Sequence, residues 1–296
     1  MALREEMARE GKWLFHRRGH LPLLLLIIVF MGLAHYRPAV SHAWDQAWEI
    51  LCLIVAFLGL AVRTGTIGYI PTGTSGRSTS NISASALNTK GMYSIVRNPL
   101  YLGNALTWLG VSMLLRQWWV TLLFLTIFRV YYERIIFAEE EFLRKKFGGE
   151  FLEWAERTPV FIPCFKNWTP PTQTFSLRRV LRRDYSAFFA VISAFTTMEL
   201  LCDWKTMGRP EIDPMWLIIF STGAIVYLTL RTLKKKTAVL DAPIDLTPKA
   251  YRRENVDSDP ITDHAPLSST QKKQPESRQR KISRHDAHHL KSNTLQ

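Results

Sequence analysis

"GMYSIVRNPLYLGN", residues 91–104, decides how this chain is read. It sets Arg97, Asn98 and Pro99 directly against an apolar run that begins at Leu100. Pro99 lacks a backbone N–H and biases Asn98 away from helix, so the order of residues predicts a turn and then a helix. Gly91, Tyr93 and Tyr101 speak against a plain flexible loop, because bulky residues at turns pack.

Outward from this stretch, apolar residues come in blocks and charges gather between and after them. Of 296 residues, 47% are hydrophobic. This is the pattern of an all-α polytopic membrane protein with polar ends. Crossing a bilayer takes roughly twenty apolar residues. Six spans are expected: Leu21 to Tyr36, Trp48 to Val62, Leu100 to Trp119, Val120 to Ala138, Phe188 to Trp204 and Met215 to Leu233. The first resembles a signal peptide in following Arg17 and Arg18. A second apolar run comes at once, which favours a retained span. Spans three and four leave no room for a loop and form a tight hairpin.

Lys and Arg are concentrated before span one, between spans two and three, and after span four. Both termini and both long connectors are therefore expected in the cytoplasm, with the protein integral and multi-pass. The net charge of +13 belongs to residues flanking apolar runs. Contact with anionic lipid headgroups explains it better than nucleic acid does. Three cysteines, Cys52, Cys164 and Cys202, stand at no metal-like spacing and no metal site is expected. The expected divisions are a cytoplasmic segment 1–20, a core 21–165, a connector with two further spans 166–233, and a disordered basic tail 234–296. "HDAHH" at 285–289 is compositionally able to bind metal, but sits in that tail.

A second segment carries chemistry: "FRVYYERIIFAEEEFLRKKFGGEFLEWAERTPVFIP", residues 128–163. Arg129, Glu133 and Glu140 fall within about 40° of one another on a helix of 3.6 residues per turn. Glu139 borders them. Charge so close to hydrocarbon is costly and marks a functional suspect. Solvated carboxylates on a helix leaving the membrane are the plain alternative, and the expected reading for Glu141.

Together the two segments resemble the membrane methyltransferases, the family of isoprenylcysteine carboxyl methyltransferase and the phospholipid methyltransferases. The resemblance runs through Gly91, Tyr93, Arg97, Asn98, Pro99, Tyr101, Gly103, Glu139, Glu140, Leu143, Phe147, Gly148, Phe151, Trp154 and Pro163. It covers roughly residues 45 to 165. It implies S-adenosylmethionine as cofactor on the cytoplasmic side and a membrane lipid or lipidated acceptor. The implied cofactor contacts fall on Ser85, Ala86, Leu87, Asn88, Tyr93, Asn98, Pro99, Leu100, Tyr101, Gly103, Glu139 and Glu140.

Arg97, Arg129 and Arg134 are the candidates for holding an anionic acceptor at the reaction centre. The family's usual His is Asn98 here, an amide that does not titrate. A substrate-binding Arg of the prenylcysteine enzymes would fall on Ile135. O-methylation of a lipid carboxylate or phosphate is thus favoured over lipid-amine N-methylation or prenylcysteine methylation. Two other readings stand beside it. Sterol reductases share a similar core and use NADPH, but carry Cys near Leu143 and Tyr-Gly where this chain has Phe147-Gly148. A non-enzymatic scaffold with a recruiting tail is the second.

Overall fold

The computed structural model describes residues 3–17, 21–37, 42–70, 84–209 and 213–240. Among these residues all regular structure is helical. In chain order the helices are α1 (Leu3–Arg17), α2 (Leu21–Ala34), α3 (His42–Tyr69), α4 (Met92–Ile95), α5 (Pro99–Met113), α6 (Trp118–Phe147), α7 (Gly149–Arg157), α8 (Leu177–Met207) and α9 (Pro214–Lys236). A 3₁₀ turn at Phe165–Asn167 precedes α8.

Three of these helices are long and apolar enough to cross a membrane: Ala43–Tyr69, Leu177–Met207 and Pro214–Lys236. The other expected spans are shorter or mixed. Helices α2 and α5 have 14 and 15 residues. At 1.5 Å per residue each is about 20 Å long, less than the roughly 30 Å of hydrocarbon. Helix α6 has 30 residues, and its last two turns carry the Glu and Lys run.

Helices α3 and α5 cross at close range. A Cβ on Gly103 would lie 2.5 Å from the Arg63 side chain and 2.8 Å from the Gly59 carbonyl oxygen. Only glycine lets the two backbones approach so nearly, the small-residue mode of packing between membrane helices. Around this crossing Cys52, Ala56, Leu60, Leu115, Phe124, Phe128 and Ile135 build the buried core.

Two helices run beyond their expected ends. Helix α3 continues seven residues past Val62, and α8 starts eleven residues before Phe188. These extensions hold one another. Arg179 donates to the Gly68 carbonyl at 3.1 Å, and the Ser176 amide reaches the same oxygen at 3.0 Å. The last carbonyls of α3 thereby find donors that a free helix end would lack.

Helix α1 is no loose leader. It lies antiparallel along the second half of α6, with Arg4 on Glu141 at 2.6 Å, Glu10 near Arg134 at 3.6 Å, and the Tyr131 hydroxyl on the Leu14 carbonyl at 3.2 Å. The expected start of the polar tail, Lys234 to Lys236, is the last turn of α9. The rest of the expected tail from 241 onward, with the stretch 285–289, lies outside the described residues, as do residues 71–83 of the first connector.

Candidate active site

The site grows from the turn at Asn98. Asn98 takes φ −123° and ψ 59°, outside the helical region, and Pro99 opens α5 as its first residue. Just before it, α4 starts after Gly91, whose φ of 63° is costly for any residue with a Cβ. The chain that follows α7 then returns along this turn. The Arg97 amide donates to Pro159, the Cys164 amide to Ile95, and the Gly91 amide to Thr169, each at 2.9 Å. The Asn98 side-chain amide donates to the Val160 carbonyl at 3.2 Å. From buried Trp154 in α7, the indole N–H donates to the Tyr93 carbonyl at 3.0 Å. An irregular backbone is thus fixed by main-chain bonds to a second irregular segment, which accounts for its polar groups.

Onto this turn α6 brings two adjacent carboxylates. The Tyr101 hydroxyl donates to Oε1 of Glu139 at 2.9 Å. Arg97 meets Oε2 of Glu140 at 2.8 Å. Two polar atoms of that ion pair, Oε1 of Glu140 and Nε of Arg97, are buried with no hydrogen-bond partner among the described residues. Burial pushes the Glu140 carboxyl above the ordinary carboxylate value, against the pull of Arg97 and of the Asn98 amide. Burial also raises the Tyr93 phenol, with Glu139 adding to the rise and Arg183 opposing it. Both charges therefore stand near that phenol. Arg183 belongs to α8.

The other expected residues fall as follows. Ser85, Ala86, Leu87 and Asn88 lie in the irregular segment before α4. The neighbouring Ala84 carbonyl accepts from Lys146, which seats that segment against the end of α6. Pro99 is fully buried and Leu100 half-buried in the first turn of α5. Gly103 is filled from the α3 side by the Arg63 stem. Arg129 and Arg134 stand apart from the Arg97 pair. Arg129 is 83% exposed and lies 4.0 Å from Glu133, and Arg134 faces Glu10 of α1. Glu141, expected to be solvated, is an ion-pair partner of Arg4 and is only 17% exposed.

A second polar group, which the sequence analysis does not single out, joins α3, α5, α6 and α8. Arg63 of α3 binds both carboxylate oxygens of Asp184 in α8, one through Nε at 3.2 Å and one through Nη2. Its Nη1 donates to the Asn104 side chain, which in turn reaches the Tyr132 hydroxyl at 3.4 Å. A cavity of about 90 Å³ adjoins this group. Leu60, Trp108 and Val111 line it with Ala187, Ala190 and Ala194 of α8, and Arg63, Asn104 and Thr107 supply its polar edge. The usable signal was cost: Arg63 directly follows an apolar run.

Residues 49–150 match the phospholipid methyltransferase family. Over 121 residues the chain is 35% identical to the cobalt-zinc-cadmium resistance protein CzcN of Cupriavidus metallidurans, covering 40% of this chain and 53% of that protein. The nickel-cobalt-cadmium resistance protein NccN of Alcaligenes xylosoxydans xylosoxydans is 30% identical over 121 residues, 40% of this chain and 54% of its own length. The protein-S-isoprenylcysteine O-methyltransferase of Schizosaccharomyces pombe is 30% identical over 125 residues, 37% of this chain and 53% of its own. The chain spans about half the length of the curated relatives it matches. No solved structure matches. The turn and both carboxylates lie within residues 49–150, the region that is similar to the phospholipid methyltransferase family and overlaps the similarity to the isoprenylcysteine O-methyltransferase.

Proposed function

We propose that this protein is an S-adenosylmethionine-dependent methyltransferase that acts from the cytoplasmic face on an acceptor lodged in the membrane. The observation that carries the reading is the buried Arg97–Glu140 pair, whose Nε and Oε1 have no hydrogen-bond partner among the described residues, set beside Glu139 on Tyr101. Buried polar atoms without partners cost free energy unless a ligand supplies them. S-adenosylmethionine carries an ammonium, a carboxylate and ribose hydroxyls, which match this mixed set of acceptors and donors. When bound it supplies a methyl group made electrophilic by a sulfonium.

The chain's own part is positioning. Tyr101 sets the rotamer of Glu139, so that its carboxylate receives charge-assisted hydrogen bonds without reorganising. Arg97 and Glu140 hold each other across the turn. The clamp of the return segment keeps the turn rigid and the alignment constant, and alignment is the largest contribution such a site can make to a two-substrate displacement.

We further propose a lipid carboxylate or phosphate as acceptor, hence O-methylation. Asn98 offers no titratable group, so an acceptor already anionic at neutral pH suits the site better than a protonated amine. Ile135 is fully buried, and the neighbouring Arg134 is turned to Glu10, which disfavours a prenylcysteine carboxylate held from this place. The apolar cavity between α3, α5 and α8 favours an acceptor with a hydrocarbon chain. Helices α2, α5 and α6 complete six spans with both termini in the cytoplasm, where the basic flanks meet anionic headgroups.

Membranes containing the protein, given methyl-tritiated S-adenosylmethionine, test this reading. Label should enter a lipid, and mild base should release it as volatile methanol from a carboxylate ester, or phosphorus NMR should show a phosphate methyl ester. A base-stable methylamine contradicts O-methylation.

A further inference from the structure

Asp184 lies outside the family-matched region and is 0% exposed. Its two oxygens both go to Arg63. From Arg63 a chain of hydrogen bonds and one ring contact leads to the site. Nη1 holds the Asn104 side chain, Asn104 reaches Tyr132, and the Tyr132 ring packs on Tyr101 with centroids 4.7 Å apart. The Tyr101 hydroxyl then holds Glu139. The Arg63 stem also fills the space beside Gly103. Three residues of the "GMYSIVRNPLYLGN" segment therefore depend, directly or through one ring, on a single guanidinium.

A buried ion pair is a weak way to dock a helix, since apolar residues of similar volume do as well or better. Helix α8 already has such residues at this level in Ala187, Ala190, Val191 and Ala194. What the pair adds is direction. A carboxylate that takes two of the guanidinium nitrogens leaves Nη1 aimed at Asn104.

We propose that Asp184 is a positioning residue for methyl transfer, fixing Arg63 and through it Asn104, Tyr132 and Tyr101, so that α8 is part of the active site and not only a wall around it. This rests on the methyltransferase reading above.

The test uses the full chain with D184N, D184E, the double variant R63M/D184L, and Y132F. Each is measured for thermal unfolding in detergent, S-adenosylmethionine affinity, and kcat and KM of methyl transfer. D184N leaves Arg63 buried without its counter-charge and should lower both stability and rate. The double variant removes both charges and should recover thermal stability. Its kcat should stay on the order of tenfold to a hundredfold low, as expected when reacting groups are slightly misplaced. D184E should recover part of the rate. Y132F keeps the ring and loses only the hydroxyl that Asn104 reaches, so it should fold as the parent does and still lose rate. A double variant that transfers methyl at the parental rate, or a Y132F protein with parental kcat, overturns the proposal. Absence of S-adenosylmethionine binding by the unmodified chain is a different result, and overturns the reading of the site itself.

Discussion

The hydroxyl of Tyr101 holds Oε1 of Glu139 at 2.9 Å, joining the first turn of α5 to the end of α6 across 38 residues of sequence. This bond sets the direction of the carboxylate assigned to the cofactor. A Tyr101→Phe protein keeps the ring against Tyr132 and loses only the bond. One neutral-to-charged hydrogen bond is worth about 1 to 3 kcal/mol. S-adenosylmethionine should bind at least about fivefold more weakly, while thermal stability changes little. Equal affinity in a binding isotherm contradicts this role.

Gly103→Ala should destabilise the fold. The added carbon would come within 2.5 Å of the Arg63 side chain and 2.8 Å of the Gly59 oxygen. Overpacking of this kind costs roughly 1 to 3 kcal/mol. Thermal unfolding in detergent reads it, and an unchanged midpoint would mean that α3 and α5 do not cross so closely.

Glu141 makes the docking of α1 sensitive to acid. Its hydrogen bond with Arg4, ahead of the charges of Arg4 and Lys145, holds the carboxyl below its usual value of 4.5. A depressed folded value means that the stabilisation is present above the unfolded value and is lost as pH falls through the folded one. Spin labels on α1 and on the second half of α6 should show a narrow distance distribution at neutral pH and a broad one in acid. Glu141→Gln should broaden it already at neutral pH. A narrow distribution in that variant contradicts the assignment.

Residues 241–296 should be dispensable for chemistry. Their sequence is polar and shows no apolar period. A chain ending at Asp241 should insert and label lipid as the full chain does. Lost labelling with normal insertion would show that the tail closes the site or carries substrate.

What was legible in the sequence is what local chemistry dictates. Pro99 forces the turn at Asn98, and the motif order brings Arg97, Tyr101, Glu139 and Glu140 into one place. What was not legible depends on distant partners. A helical wheel puts Arg129, Glu133 and Glu140 on one face; Arg129 does lie 4.0 Å from Glu133, but in an exposed position, while Glu140 meets Arg97. The pairing of Arg134 with Glu10 is not legible either, because nothing in the fifteen residues of α1 announces that this helix folds back along α6. Arg63 and Asp184 are 121 residues apart, and nothing in the local sequence of either points to the other. Only the packing of α8 on α3 makes them a pair.

The central claim is that the Glu139–Tyr101 and Arg97–Glu140 pairs hold S-adenosylmethionine. Calorimetric titration of the cofactor into purified protein and into its Glu139→Gln variant tests it most directly. The account predicts saturable binding by the parent, and loss of on the order of tenfold or more in affinity for the variant, as a buried charged partner is left unmatched. No binding by the parent, or equal binding by both proteins, contradicts it.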